Sequence, residues 1–112
     1  MNLLNKRKLL KLERKNQGNK KLSDAIRKLI EDIEKAEWKN PLEIKEDRPD
    51  ADNVHSEGFY FFNISIHRTM ILVVFDDSEA SIVWAGNHQE YDKTFKGNKN
   101  TIEKWLKNHN LI

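Results

Sequence analysis

The chain lacks cysteine, so it has neither disulfide bonds nor a thiolate nucleophile, and this composition fits a reducing cytoplasm. Its four glycines form no Gly-rich phosphate loop, and its four histidines lack the spacing of metal ligands. We therefore expect no metal and no cofactor. No apolar run approaches the length of a membrane span, and residues 1–10 lack the apolar core of a signal peptide. These absences favour a cytoplasmic protein that does not contact a membrane.

The charges are unevenly distributed along the 112 residues. The net charge is +2, but residues 1–36 carry +6, residues 37–80 carry −6 and residues 81–112 carry +2. A basic first third is compatible with a surface that follows phosphates, with a solvated helical face, or with packing against the acidic middle. The length predicts one domain over 1–112.

Hydrophobic spacing predicts two helices, then strands, then a last helix. Asn2–Lys15 and Lys20–Glu37 are the predicted helices of an amino-terminal hairpin. The second has a clear apolar face, formed by Leu22, Ile26, Leu29, Ile30 and Ile33. Residues 41–58, which hold both prolines, are predicted to be a loop with one short helical turn.

Aromatic and β-branched runs at 59–66, 69–75 and 81–86 predict antiparallel strands joined by short turns. A closing helix follows Gly97, with Ile102, Trp105 and Leu106 on one face. The predicted fold class is therefore α+β: a helical hairpin packed on one face of a three- to four-stranded antiparallel sheet, with a carboxy-terminal helix. The other sheet face is expected to be partly open.

The most informative segment is Ile82–Asp92, an apolar strand that runs into His88, Glu90, Tyr91 and Asp92. Such a cluster places proton carriers at the edge of a rigid sheet. Arg68 lies inside an otherwise apolar strand pair. Its guanidinium is either a structural partner of Glu90 or Asp92 or a clamp for a phosphodiester. Taken alone, His88 is more often a strand-end histidine with a structural role than a catalyst, and Tyr91 is more often an aromatic residue that packs at a sheet edge.

Five short motifs, in order, resemble those of HigB-type toxins, which are small RelE-like proteins of bacterial toxin–antitoxin pairs. They are Trp38-Lys39-Asn40-Pro41, Ala51-Asp52-Asn53-Val54, Phe61-Phe62-Asn63-Ile64, the strand residue Arg68, and His88-Gln89-Glu90-Tyr91-Asp92. Two positions depart from the family pattern. Asn87 replaces a usual Thr before the His, and Ser65-Ile66-His67 replaces a Gly-Asn turn and an aromatic residue.

The resemblance implies a RelE-like fold and a ribosome-dependent mRNA endonuclease that a cognate antitoxin neutralises. The antitoxin is expected to be a helix-turn-helix protein encoded nearby. On this hypothesis Arg68 binds the scissile phosphate, His88 is general base or acid, and Tyr91 is a second proton carrier or a stacking platform. Glu90 orients His88 or is itself the base. The expected RNA contacts are Lys93 and Lys96 on mRNA, with Lys6, Arg7, Lys8 and Lys11 on ribosomal RNA.

Two other functions stay open at the level of sequence. A ParE-like toxin binds gyrase without cutting RNA, and the predicted closing helix favours that class. A non-catalytic module for RNA or protein binding would hold Arg68 and His88 in structural pairs. The His88 cluster favours the nuclease.

Overall fold

The computed structural model describes residues 1–112. Its elements are, in chain order, β1 (Asn2–Leu4), α1 (Arg7–Lys15), α2 (Lys20–Lys35), α3 (Pro41–Asp47), β2 (Asp52–His55), β3 (Phe59–Ile64), β4 (His67–Val74), β5 (Glu79–Gly86), α4 (His88–Phe95) and α5 (Lys99–Asn108). The strands form one sheet in the order β1-β5-β4-β3-β2. The predicted α+β class is confirmed, with a fold consistent with RelE-like proteins.

The sheet is larger than predicted, with five strands, and it is mixed because β1 runs parallel to β5. Asn2–Leu4 was predicted to begin a helix. It is a strand instead, since Leu3 is buried beside Ala80 and the Asn2 N–H donates to the Ser78 carbonyl. This pairing is a tertiary contact, and local helix propensity does not report it.

Helix α2 follows the sequence prediction closely. Asn19 caps its start, because the Asn19 side chain accepts a hydrogen bond from the Leu22 N–H at 3.1 Å. Four members of the predicted apolar face are buried: Leu22, Ile26, Leu29 and Ile33. The fifth, Ile30, is only partly buried and lies at the margin of the core.

Helices cover both faces of the sheet, so the prediction of one partly open face was wrong. On one face, Leu9 of α1 and Ile26 of α2 pack with Phe62 of β3. On the other face, Phe95 of α4 and Leu106 of α5 pack with Phe61. The alternation of side chains along β3 therefore supplies two separate cores. None of the five helices combines the length and apolar character needed to cross a bilayer.

Two further elements were missing from the prediction. Asp52–His55 forms edge strand β2, whose polar residues conceal the strand pattern. His88–Phe95 forms helix α4, so the polar cluster after Gly86 lies on a helix and not at the end of a strand. This helix covers the sheet face that was expected to stay open, and it decides the geometry of the site.

Candidate active site

Arg68 lies on β4 and pairs with Asn63 of β3 on one side and Gly86 of β5 on the other. Strand alternation points its side chain to the face covered by α4 and α5, the same face as Met70. Its guanidinium carbon lies 4.6 Å from the centre of the Tyr91 ring. This distance is typical of a cation–π contact.

The Arg68 guanidinium has no carboxylate partner. The ion pairs of α4 involve His88 and Asp92, and Glu90 bonds to the backbone of Asn87. The structural alternative, in which Arg68 pairs with Glu90 or Asp92, is therefore wrong. A half-buried guanidinium held by an aromatic face and not neutralised is available to an anion.

Helix α4 begins with a capping box. The Asn87 side chain accepts from the Glu90 N–H at 2.8 Å, and the Glu90 carboxylate accepts from the Asn87 N–H at 3.0 Å. Asn87 thus serves as the helix cap, the role that Thr can also fill at this family position. Glu90 is committed to this cap. It makes no hydrogen bond with His88, in contrast to the hypothesis that Glu90 orients His88.

His88 occupies the first turn of α4, where its side chain is 65% exposed. Its Nε2 lies 3.7 Å from Asp92 Oδ2, one helical turn further along. Its ring is parallel to that of Tyr91, with centroids 6.2 Å apart. Asp92, which belongs to the cluster seen in the sequence but was given no catalytic role there, is therefore the carboxylate within ion-pair distance of His88. The i,i+4 spacing was a usable signal once α4 was known to be a helix.

Tyr91 is largely buried, at 9% exposure. Its ring makes an edge contact with Phe61 at 5.0 Å and lies close to Trp84 and Phe95. The position of Arg68 is consequently fixed by an aromatic cluster that belongs to the second core. A buried ring with Arg68 on its face is poorly placed to stack a nucleotide base.

Gly86, the last residue of β5, lets the start of α4 pack closely against the end of the strand. A Cβ at this position would lie 2.7 Å from the Trp84 ring and 3.2 Å from Glu90 Oε1. The glycine therefore lets the cap of α4 approach the sheet next to Arg68. Any side chain here displaces one of these neighbours.

His67 precedes Arg68 and points to the opposite sheet face, where it is 5% exposed and its Nδ1 has no hydrogen-bond partner. Burial lowers the pKa of His67 below its ordinary value, and the nearby Glu90 charge opposes this effect. No three His, Asp or Glu side chains group closely enough to hold a metal ion.

The predicted RNA-contact residues fall into two groups. Lys93 and Lys96 are exposed near the end of α4, on the same helix as His88. Arg7, Lys8 and Lys11 are exposed on α1, whereas Lys6 is paired with Glu34 at 2.6 Å. Basic residues of the first third that form ion pairs do so with acids of the same segment, as Lys28 does with Asp32. The first third therefore does not neutralise the acidic middle.

The fold and this site define an α+β protein with a free guanidinium and an exposed imidazole at the end of its central strands. A family model described as the RelE-like toxic component of a toxin–antitoxin system, HigB_toxin, matches residues 22–94. The match covers more than half of the chain, so the protein belongs to the HigB toxin family. Membership implies an antitoxin partner. No curated protein matches the chain at a significant level.

The matched range runs from α2 to α4. It contains Arg68, His88, Glu90, Tyr91 and Lys93, and it leaves out Lys96 and the basic residues of α1. The candidate active site thus lies within the part of the chain that defines the family.

Proposed function

We propose that this toxin inhibits translation as a metal-independent endoribonuclease that cuts mRNA on the ribosome in the cytoplasm. One observation carries the proposal. The Arg68 guanidinium is held over the Tyr91 ring, 4.6 Å from its centre, without a neutralising carboxylate, and the exposed imidazole of His88 adjoins the same ring. A fixed cation beside a proton carrier is what phosphodiester cleavage requires.

RNA carries its own nucleophile, the 2′-hydroxyl. A general base removes the 2′ proton, the 2′ oxygen attacks phosphorus, and the bond to the 5′ oxygen breaks as a general acid protonates that oxygen. Negative charge builds on the phosphoryl oxygens during this step. Arg68 stabilises this charge through a planar fork of donors that matches two phosphate oxygens.

His88 is assigned to proton transfer because it is exposed and because Asp92 Oδ2 lies 3.7 Å from its Nε2. A nearby carboxylate orients an imidazole ring. Glu90 is a weaker candidate for the base, since its carboxylate already accepts the Asn87 N–H. The Tyr91 hydroxyl is the candidate for the second proton transfer, and the Tyr91 ring positions Arg68.

The exposed cations serve binding on this proposal. Lys93 and Lys96 contact mRNA close to the site, and Arg7, Lys8 and Lys11 contact ribosomal RNA, with Lys6 contributing less because Glu34 pairs with it. Such contacts are independent of sequence and weaken as salt rises. We also propose that residues 1–112 form one toxin domain. Both end segments belong to the fold, since β1 pairs with β5 and α5 packs in the second core.

A ParE-like gyrase binder is the second candidate, favoured by α5, which covers one end of the sheet face that carries Arg68. The third is a module that binds RNA or protein without cutting. The free Arg68 guanidinium weighs against the third, because a purely structural Arg is normally paired when it is buried.

Induced expression in bacteria separates these candidates. Growth arrest with new mRNA ends in translated genes is the expected result for the nuclease. Arrest with intact mRNA and altered DNA supercoiling indicates gyrase as the target. Folded protein without any arrest indicates a non-catalytic module. Gln89→Ala, an exposed neighbour on α4, is the matched control for variants of His88.

The role of the Tyr91 hydroxyl has its own test. Tyr91→Phe keeps the ring under Arg68 and removes only the hydroxyl. Loss of mRNA cleavage with an unchanged melting temperature supports proton transfer by Tyr91. Full cleavage by this variant would leave Tyr91 as a positioning residue alone.

A further inference from the structure

An open groove of about 870 Å³ lies along the outer edge of β5. Strand β5 pairs with β4 as far as Gly86, but with β1 only at Glu79–Ser81. Residues 82–86 therefore have no neighbouring strand on their outer side. An edge of this kind presents unpaired N–H and C=O groups and is a template for a further strand.

Helices α1 and α5 form the walls of this groove. Three lysines of α1 line it: Lys8, Lys11 and Lys15. Trp105 of α5 and His109, the residue that caps the end of α5, also line it. The spacing of the lysines places them on one stripe of α1. None of the three takes part in an ion pair, in contrast to Lys6, Lys20 and Lys28 on neighbouring surfaces.

The dimensions of the strand edge and of the lysine stripe agree. Residues 82–86 of β5 extend over roughly 13 Å at the rise of a strand. The stripe from Lys8 to Lys15 extends over about 10 Å at the rise of a helix. Apolar side chains line the space between them, among them Leu12, Ile82, Val83 and Leu111. The groove thus combines a free backbone edge, apolar contacts and an unneutralised row of cations.

We propose that an extended acidic segment of the antitoxin docks here and adds to the sheet as a strand beside residues 82–86 of β5. Backbone hydrogen bonds to the edge supply affinity, and the apolar lining selects alternate side chains of the segment. Its carboxylates face Lys8, Lys11 and Lys15, so the docked antitoxin and ribosomal RNA compete for Lys8 and Lys11. This inference rests on the antitoxin that family membership implies, and it does not depend on RNA cleavage.

A polypeptide fits this groove better than RNA does. A free strand edge offers alternating donors and acceptors, which a second polypeptide backbone matches and a sugar–phosphate chain does not. Asn87 and Glu90 line the same groove. A docked strand consequently ends beside the cap of α4, next to His88, and it would hinder access of mRNA to that helix.

Residue-resolved amide hydrogen exchange on the free chain and on its complex with the purified antitoxin tests strand addition directly. We expect exchange to slow at alternate residues between 82 and 86, because only every second amide of an edge strand points outward. A tight complex with unchanged exchange there would overturn the proposal. If an uncleavable single-stranded oligonucleotide slowed exchange at these residues and the antitoxin did not, the groove would be a nucleic-acid site and the proposal would be overturned.

Charge reversal tests the lysine stripe. Lys8→Glu with Lys15→Glu should weaken antitoxin binding about tenfold at low salt, and less at high salt. The matched control is Lys21→Glu with Arg14→Glu, which makes the same charge change in the first turn of α2 and the last turn of α1. Equal weakening by both pairs would contradict docking in this groove. Failure of the nuclease proposal would leave both measurements unaffected, since neither depends on cleavage.

Discussion

Replacing Arg68 by Ala should abolish toxicity and leave the protein folded. Arg68 is half-buried and forms no ion pair, and its recorded partner is the Tyr91 ring at 4.6 Å. A cation–π contact of this kind contributes about 0.5–2 kcal/mol. The free energy of unfolding should therefore fall by no more than about 2 kcal/mol.

The expected effect on catalysis is larger. Removing one group that stabilises charge in the transition state typically lowers the rate about 10²–10³-fold, or roughly 3–4 kcal/mol. Arg68→Lys keeps the charge but loses the planar fork that binds two phosphate oxygens. We expect this variant to retain part of the activity, between the wild type and Arg68→Ala.

Thermal melts beside a growth assay decide the matter. A loss of about 2 kcal/mol lowers the melting temperature by roughly 8–16 °C in a domain of this size. Arg27→Ala, exposed on α2, is the control and should stay toxic. Full toxicity of Arg68→Ala would refute the role of Arg68 in the reaction. An Arg68→Ala protein that is unfolded at the temperature of the growth assay would show that Arg68 is needed for the fold.

Four further predictions follow from burial and geometry. His88→Gln should remove toxicity without a change in melting temperature, because Gln keeps hydrogen bonding but cannot exchange a proton near neutral pH; an active variant would exclude His88. In denaturant titrations, Ile26→Ala should lower the free energy of unfolding by about 2–5 kcal/mol and Val73→Ala by about 2 kcal/mol, because both side chains are buried. Ile30→Ala should lower it less, since Ile30 is only partly buried. Equal losses for Ile26→Ala and Ile30→Ala would contradict the burial pattern. Gly86→Ala should cost about 1–3 kcal/mol, since its Cβ meets the Trp84 ring at 2.7 Å; an unchanged melting curve would mean that the ring moves freely. The pKa of His67 is lower in the folded chain than in the unfolded chain, so the unfolded chain binds more protons below about pH 6.5. The melting temperature should therefore fall as pH drops from about 6.5 to the pKa of the folded chain. His67→Met should remove this pH dependence.

Local patterns predicted the elements that depend on local physics. The apolar face of α2 and the Asn19 cap are both readable from spacing, and both are present. By contrast, β1 depends on pairing with Glu79–Ser81, far away in sequence, and a three-residue strand has no detectable period. The capping box formed by Asn87 and Glu90 was a readable signal for α4. The strong strand pattern before it obscured that signal.

The site was predictable in composition and less so in geometry. Short turns between strands allowed Arg68, His88 and Tyr91 to fall at one end of the sheet without requiring it, and in the structure Arg68 and His88 both lie against the Tyr91 ring. The contact of Arg68 with Tyr91 depends on strand register and on the docking of α4, which no local pattern encodes. The same holds for Glu90. Its role as a helix cap became clear only once His88 was seen to begin a helix.

Cleavage in a purified translation system tests the central claim most directly. One mRNA is supplied with its start codon and a second is identical except that the start codon is removed, and primer extension maps new ends after toxin is added. We predict cuts within the reading frame of the first mRNA only, and none with Arg68→Ala. Intact mRNA in both cases, with wild-type toxin that arrests growth in cells, would contradict ribosome-dependent cleavage.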